Sequence, residues 1–186
     1  LVARAWGAGD YEEASRVTMA SMVLAGLLSL LIAVFGIVLA SDMAGVFGLD
    51  EATSHLATRT IQWLSFFNLA FAVAFVLQAA LRASGDAWTP LWVGIGCNII
   101  NLPLFYAFIF GNWGAPNMGV VGSAVAGGIS FAAGSLFMLI MWLRQRFRVR
   151  YINHGWWRRE RLARLLQIGY PAALEQGVFQ IGFFIF

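Results

Sequence analysis

The chain has 186 residues, 60% of them hydrophobic and 11% charged, with a mean hydropathy of +0.75 and a net charge of +3. A soluble domain carries about 25% charged residues, so this composition excludes a cytosolic enzyme domain, a secreted disulfide scaffold and a nucleic-acid module, despite a pI of about 9.6. What remains is a membrane protein. The single cysteine, Cys97, allows no internal disulfide, and His55 and His154 form no metal-ligand pattern with it.

In chain order, Asp10 followed by Glu13 fits a capping box at a helix start, the Asp oxygen on an early backbone N–H and the Glu reaching back. A bilayer core is spanned by roughly 20 apolar residues in a helix. Val17 to Ala40 and Thr60 to Leu81 are charge-free and long enough to span, and Ala87 to Leu143 is charge-free but far too long for one helix. The turn residues between Gly111 and Asn117 divide that last stretch in two. The expected spans are therefore about 17–40, 60–81, 87–110 and 118–143. Barrel strands are excluded by the length and continuity of the runs. Thr89-Pro90 fits an N-cap followed by proline at the first helical position.

Arginine placement sets the orientation. All of the 12 arginines except Arg59 fall in the loops at 1–16, 82–86 and 144–167, which makes those loops cytoplasmic. The eight Trp residues lie near span ends or in loops, as interfacial anchors do. The basic stretch Arg144 to Arg164 is read first as a topology anchor, and second as a patch for anionic lipid or nucleic acid. Within it, Trp156 to Leu166 suits a short helix lying on the inner membrane face. A fifth apolar run, Ile168 to Phe186, carries one charge, Glu175. The chain starts without Met and stops inside that run, so it is expected to be an internal piece of a longer protein.

Polar groups inside spans are the first candidates for function. Glu175, placed about 6 Å beyond Pro171 if that proline opens its helix, is either a wetted carboxylate at the interface or a proton or cation site. Asn98 and Asn101 sit three residues apart ahead of Pro103, a candidate hinge that frees the Ile99 carbonyl. Gln62, Ser65 and Asn68 form a loose stripe on the second span. Glu175, Asn101, Asn98, Asn68 and Gln62 are the candidate ion or substrate pathway. Gly122, Ala126, Ser130 and Gly134 recur at four-residue spacing and form a packing ridge on the fourth span. No metal-ligand helix, P-loop or nucleophile elbow occurs, and neither a catalytic nor a metal site is expected.

Three stretches resemble the multidrug and toxic compound extrusion (MATE) transporters: RAWGAGDYEEA at Arg4 to Ala14, LRASGDAWTP at Leu81 to Pro90, and NLPLFYAFIFGNWGAPNMGVVGSAVA at Asn101 to Ala126. GYPAALEQG at Gly169 to Gly177 resembles the start of that family's second half. The resemblance implies an all-α polytopic transmembrane bundle, running from the end of helix 2 into helix 7 of a two-lobe, twelve-helix transporter in the plasma membrane. Residues 1–143 would be most of the first six-helix lobe, 144–167 a cytoplasmic basic linker, and 168–186 the start of the second lobe. It further implies antiport of amphipathic, often cationic, organic compounds against sodium ions or protons, with no cofactor. The implied partners are the lipid bilayer, small organic substrates and the second lobe, and no nucleic acid.

In one branch of the family the first lobe holds the ion with an Asn that matches Asn101. Phe105 then stands where that branch has an acid and Gly127 where it has a Thr. In another branch a carboxylate on the seventh helix takes part. Glu175 is on that helix, about a turn before the family position, which here is Phe179. A lipid-linked oligosaccharide flippase of the same superfamily is the alternative, and the lack of Arg or Lys inside the spans weighs against it.

Overall fold

The computed structural model describes residues 1–46, 48 and 50–185. Among the described residues seven helices follow one another: α1 (Val2–Gly7), α2 (Tyr11–Val38), α3 (Ala40–Gly45), α4 (Glu51–Ala83), α5 (Trp88–Phe110), α6 (Val120–Leu143) and α7 (Arg159–Ile185). No strand occurs among the described residues. The protein is a multi-pass membrane protein, in which α2, α4, α5 and α6 are long and apolar enough to cross a bilayer. Helices α2 and α4 begin several residues before the charge-free windows, because their polar first turns are capped ahead of the apolar run.

The caps differ in part from expectation. Asp10 accepts the Glu13 N–H at 2.9 Å, but Glu13 does not reach back. Its carboxylate is taken by an arginine 148 residues away, a charged bidentate partner that outcompetes a single backbone N–H. At α5 the acceptor is Asp86 and not Thr89. Asp86 receives the Thr89 N–H at 3.0 Å and the Thr89 hydroxyl at 2.6 Å, so the hydroxyl is spent as a donor and the helix starts at Trp88. Pro90 accordingly lies at the third helical position.

Packing is inverted relative to a soluble bundle. The buried set is dominated by small side chains such as Ala14, Ala20, Ala74 and Ala126, while Leu31, Phe35, Phe66 and Leu102 are exposed. Helices in lipid gain nothing from hiding Leu from Leu-like tails, and they associate by close backbone approach. Helix α6 is wedged between α4 and α5 on this principle. A Cβ at Gly128 would lie 2.0 Å from the Phe67 ring of α4, and one at Gly122 would lie 2.5 Å from the Phe108 carbonyl oxygen of α5. Gly134 meets Cys97 of α5 in the same way. Gly111 ends α5 in the left-handed conformation, at φ +72°, with Asn117 packed where a side chain would stand.

Larger apolar side chains are buried at the basic end of the bundle, where Leu77, Leu81, Met138, Trp142 and Phe147 form a cluster. Trp142 is 2% exposed and thus belongs to this core, not to the interface. Helix α7 also departs from expectation. It is one continuous helix in which Pro171 is interior, so no separate interfacial helix ends before it. Proline removes one backbone hydrogen bond, and no cluster of turn residues lies between Arg159 and Tyr170 to exploit the break.

Candidate functional site

Two regions of the bundle carry polar side chains in defined geometry. The first lies within the spans. Asn68 on α4 donates its amide to the Ser29 carbonyl on α2 at 2.9 Å, and one turn away on α4 Ser65 lies against Gly36 of α2. These contacts stitch α2 to α4. Gln62, on the same stripe, is half-buried.

On α5 the two asparagines part company. Asn98 is exposed and donates to the Gly94 carbonyl of its own helix at 2.9 Å. Asn101 is half-buried and faces α6, its amide nitrogen 3.9 Å from where a Cβ on Gly127 would stand. Positions three apart on a helix differ by about 60° in direction, which suffices to turn one outward and the other to its neighbour. Pro103 is interior to α5, and the helix continues through it to Phe110. Phe105 is 38% exposed.

Glu175 lies within α7 and is exposed. Because α7 begins at Arg159, Glu175 is about 24 Å along the helix at 1.5 Å per residue, much farther from its start than a helix opened by Pro171 would place it. The structure does not bring Glu175 to Asn68 or Asn101. Phe179, at the family's acid position, is also exposed. Among the described residues no three His, Cys, Asp or Glu side chains cluster as metal ligands would.

The second region is the basic end, where the segments at 1–16, 82–86 and 144–167 meet. Arg161, 6% exposed, forms a bidentate pair with Glu13, Nε to Oε1 at 2.8 Å and Nη2 to Oε2 at 2.6 Å. Its Nη1 also donates to the Gly155 and Trp156 carbonyls, both at 2.8 Å. The guanidinium therefore ties the first turn of α7 and the preceding loop to the first turn of α2. Ser15 adds a second tie, accepting the Arg150 N–H at 3.1 Å while donating to the Tyr11 carbonyl.

In the turn between α4 and α5, partial burial pushes the Asp86 carboxyl up, but hydrogen bonds from Thr89 and Trp88 and the charge of Arg148 outweigh it. The carboxyl is held below its ordinary value.

Sequence reasoning missed the Glu13–Arg161 pair. The available signal was that Arg161 shares a helical face with Leu165, four residues on.

A family model described as MatE matches residues 1–107. The probable multidrug resistance protein YoeA of Bacillus subtilis (strain 168) is 29% identical, over 94% of this chain and 39% of its own length. The probable multidrug resistance protein NorM of Thermotoga maritima is 34% identical, over 64% of this chain and 26% of its own length. The crystal structure of a MATE protein in complex with MaD3S superposes with a TM-score of 0.88 at 25% identity, covering 98% of this chain and 41% of that one. The chain thus spans about two fifths, or less, of the length of these relatives.

Proposed function

Because this chain belongs to the MatE family, a family of transporters and not of enzymes, we propose that the protein carrying it is a multidrug efflux transporter. It exports amphipathic, often cationic, organic compounds across the plasma membrane by secondary antiport against sodium ions or protons. The chain supplies most of its first lobe, and α7 leads into the second. The segments at 1–16, 82–86 and 144–167 face the cytoplasm.

The observation that carries this reading is the charge-free interior. Residues 17–40, 60–81 and 87–143 contain no Arg or Lys, and within 17–40 and 60–81 the half-buried polar groups are uncharged, Gln62, Ser65 and Asn68 among them. Such a wall suits an organic cation, whereas a pyrophosphate headgroup would call for internal cations. The flippase alternative is not favoured. The small-residue contacts of α6 with α4 and α5 let this lobe move as one body, as rocking between inward-open and outward-open states requires.

The first-lobe ion site of one branch of the family lacks two of its groups in this chain. Asn101 faces Gly127, which offers no side-chain oxygen, and Phe105 replaces the acid. Coupling is therefore assigned to the second lobe, with Glu175 as its candidate carboxylate, Asn101, Asn68, Asn98 and Gln62 along the pathway, and Pro103 as hinge. The test is ethidium accumulation in cells stripped of their own efflux pumps. Expression of the full-length protein lowers accumulation, and accumulation equal to that of the empty vector would overturn the reading.

A further inference from the structure

The basic segment between α6 and α7 alternates side by side without forming a strand. Phe147 and Val149 are buried, 8% and 2% exposed, while Arg146, Arg148 and Arg150 are exposed. Phe147 joins the core cluster with Trp142 and Leu81, and the Arg150 N–H is held by Ser15. Apolar burial on one edge and a hydrogen bond on the other fix where the arginines emerge. Arg148 and Arg150 emerge into a cavity of about 820 Å³. Trp6 and Tyr11, with ring centroids 4.5 Å apart, line it from the turn between α1 and α2, together with Glu12 and Tyr151.

A loop that only sets topology needs its charges on one side of the membrane, in any arrangement. This one sets two arginines on a fixed backbone along the wall of a cavity that also holds an aromatic pair, with Arg148 Nη1 reaching toward Gly85. Its one carboxylate, Glu12, is already engaged by Arg16. Arg148 lies close enough to Asp86 to act on it by charge, yet among the described residues neither Arg148 nor Arg150 forms a salt bridge. The cavity sits where the apolar spans give way to charge.

The geometry points to a binding site for an anionic phospholipid of the adjoining leaflet. Arg148 and Arg150 take the headgroup phosphate, and Trp6 and Tyr11 cover the glycerol and first acyl carbons. Guanidinium forks match phosphate oxygens, indole and phenol rings favour the membrane interface, and basic pockets beside spans receive acidic headgroups. The site requires only that this end of the bundle face a leaflet with acidic lipid, and it stands whatever the protein transports.

The test is native mass spectrometry of the full-length protein in mild detergent, offered phosphatidylglycerol or phosphatidylcholine. Phosphatidylglycerol is expected to be retained over phosphatidylcholine. Arg148→Gln with Arg150→Gln lowers its retention roughly thirtyfold, each arginine near an anionic surface being worth about fivefold. The charge-matched pair Arg144→Gln with Arg146→Gln, outside the cavity, leaves retention unchanged. Arg148→Lys with Arg150→Lys keeps the charge but not the fork and retains the lipid at a level between wild type and the glutamine pair, which separates loss of binding from loss of fold. Equal losses in the two glutamine pairs, no preference for the acidic lipid, or displacement of it by millimolar inorganic phosphate would each overturn the proposal.

Discussion

Arg161 and Glu13, 148 residues apart in sequence, form a bidentate ion pair with the guanidinium 6% exposed and Nη1 donating to two loop carbonyls. The pair joins the first turns of α2 and α7, and thereby sets how α7 leaves the first lobe. A charge this buried is tolerated because a carboxylate and two loop carbonyls accept from it.

Removing one partner strands the other. Glu13→Gln is expected to destabilise the full-length protein, and because the Glu13 side chain is 34% exposed the loss falls at the lower end of the about 3–5 kcal/mol seen for broken buried pairs. Replacing both residues with apolar ones, Glu13→Leu with Arg161→Met, costs less than Glu13→Gln alone. Thermal unfolding of the three proteins checks the order.

The wedge of α6 separates glycines that otherwise look alike. Gly122→Ala drives a methyl group into the Phe108 carbonyl, a backbone atom that cannot swing aside, and is expected to cost about 1–3 kcal/mol. Gly94→Ala meets nothing within 4 Å on the same pair of helices and is neutral or stabilising by up to about 1 kcal/mol. Unfolding midpoints in detergent distinguish them, and equal losses would contradict the packing described.

The asparagines should also divide. Asn68→Ala breaks a bond between α2 and α4 and costs about 0.6 kcal/mol, up to about 1.7. Asn98→Ala removes only a bond within its own helix and leaves stability nearly unchanged. Paired unfolding measurements on the two variants test the contrast.

Asp86 gives a pH signature. Its folded pKa lies below the ordinary 3.8, so its carboxylate stabilises the fold above the unfolded value of about 3.9 and loses that effect as pH falls through the folded value. Asp86→Ala should therefore cost about 1 kcal/mol at pH 7, the worth of a helix cap, and progressively less below about pH 4. A cost that stays constant into acid would show that the carboxylate charge is not what matters.

The spans were legible because the membrane imposes a length that a single sequence displays. The charge-free runs became α2, α4, α5 and α6, and the arginine-rich loops meet at one end. The glycine ridge of the fourth span was legible for the same reason, since close approach in lipid demands small residues. Pairing was not legible. Glu13 read as a cap partner because the sequence shows its local neighbours and not Arg161, and Asn98 and Asn101 read as a pair because three-residue spacing hides the rotation that separates them. Pro171 read as a helix start because a lone proline in lipid marks either a start or a tolerated interior position, and only the residues before it, which stay helical, decide.

The most direct test is efflux of a cationic dye by the full-length protein in membrane vesicles, driven in turn by a sodium and a pH gradient, with Glu175→Gln beside the wild type. Gradient-driven dye movement, abolished in Glu175→Gln, is the expected result. A wild-type protein that moves no dye under either gradient would contradict the assignment to drug efflux, and a Glu175→Gln protein that pumps as well as wild type would contradict the coupling role of Glu175.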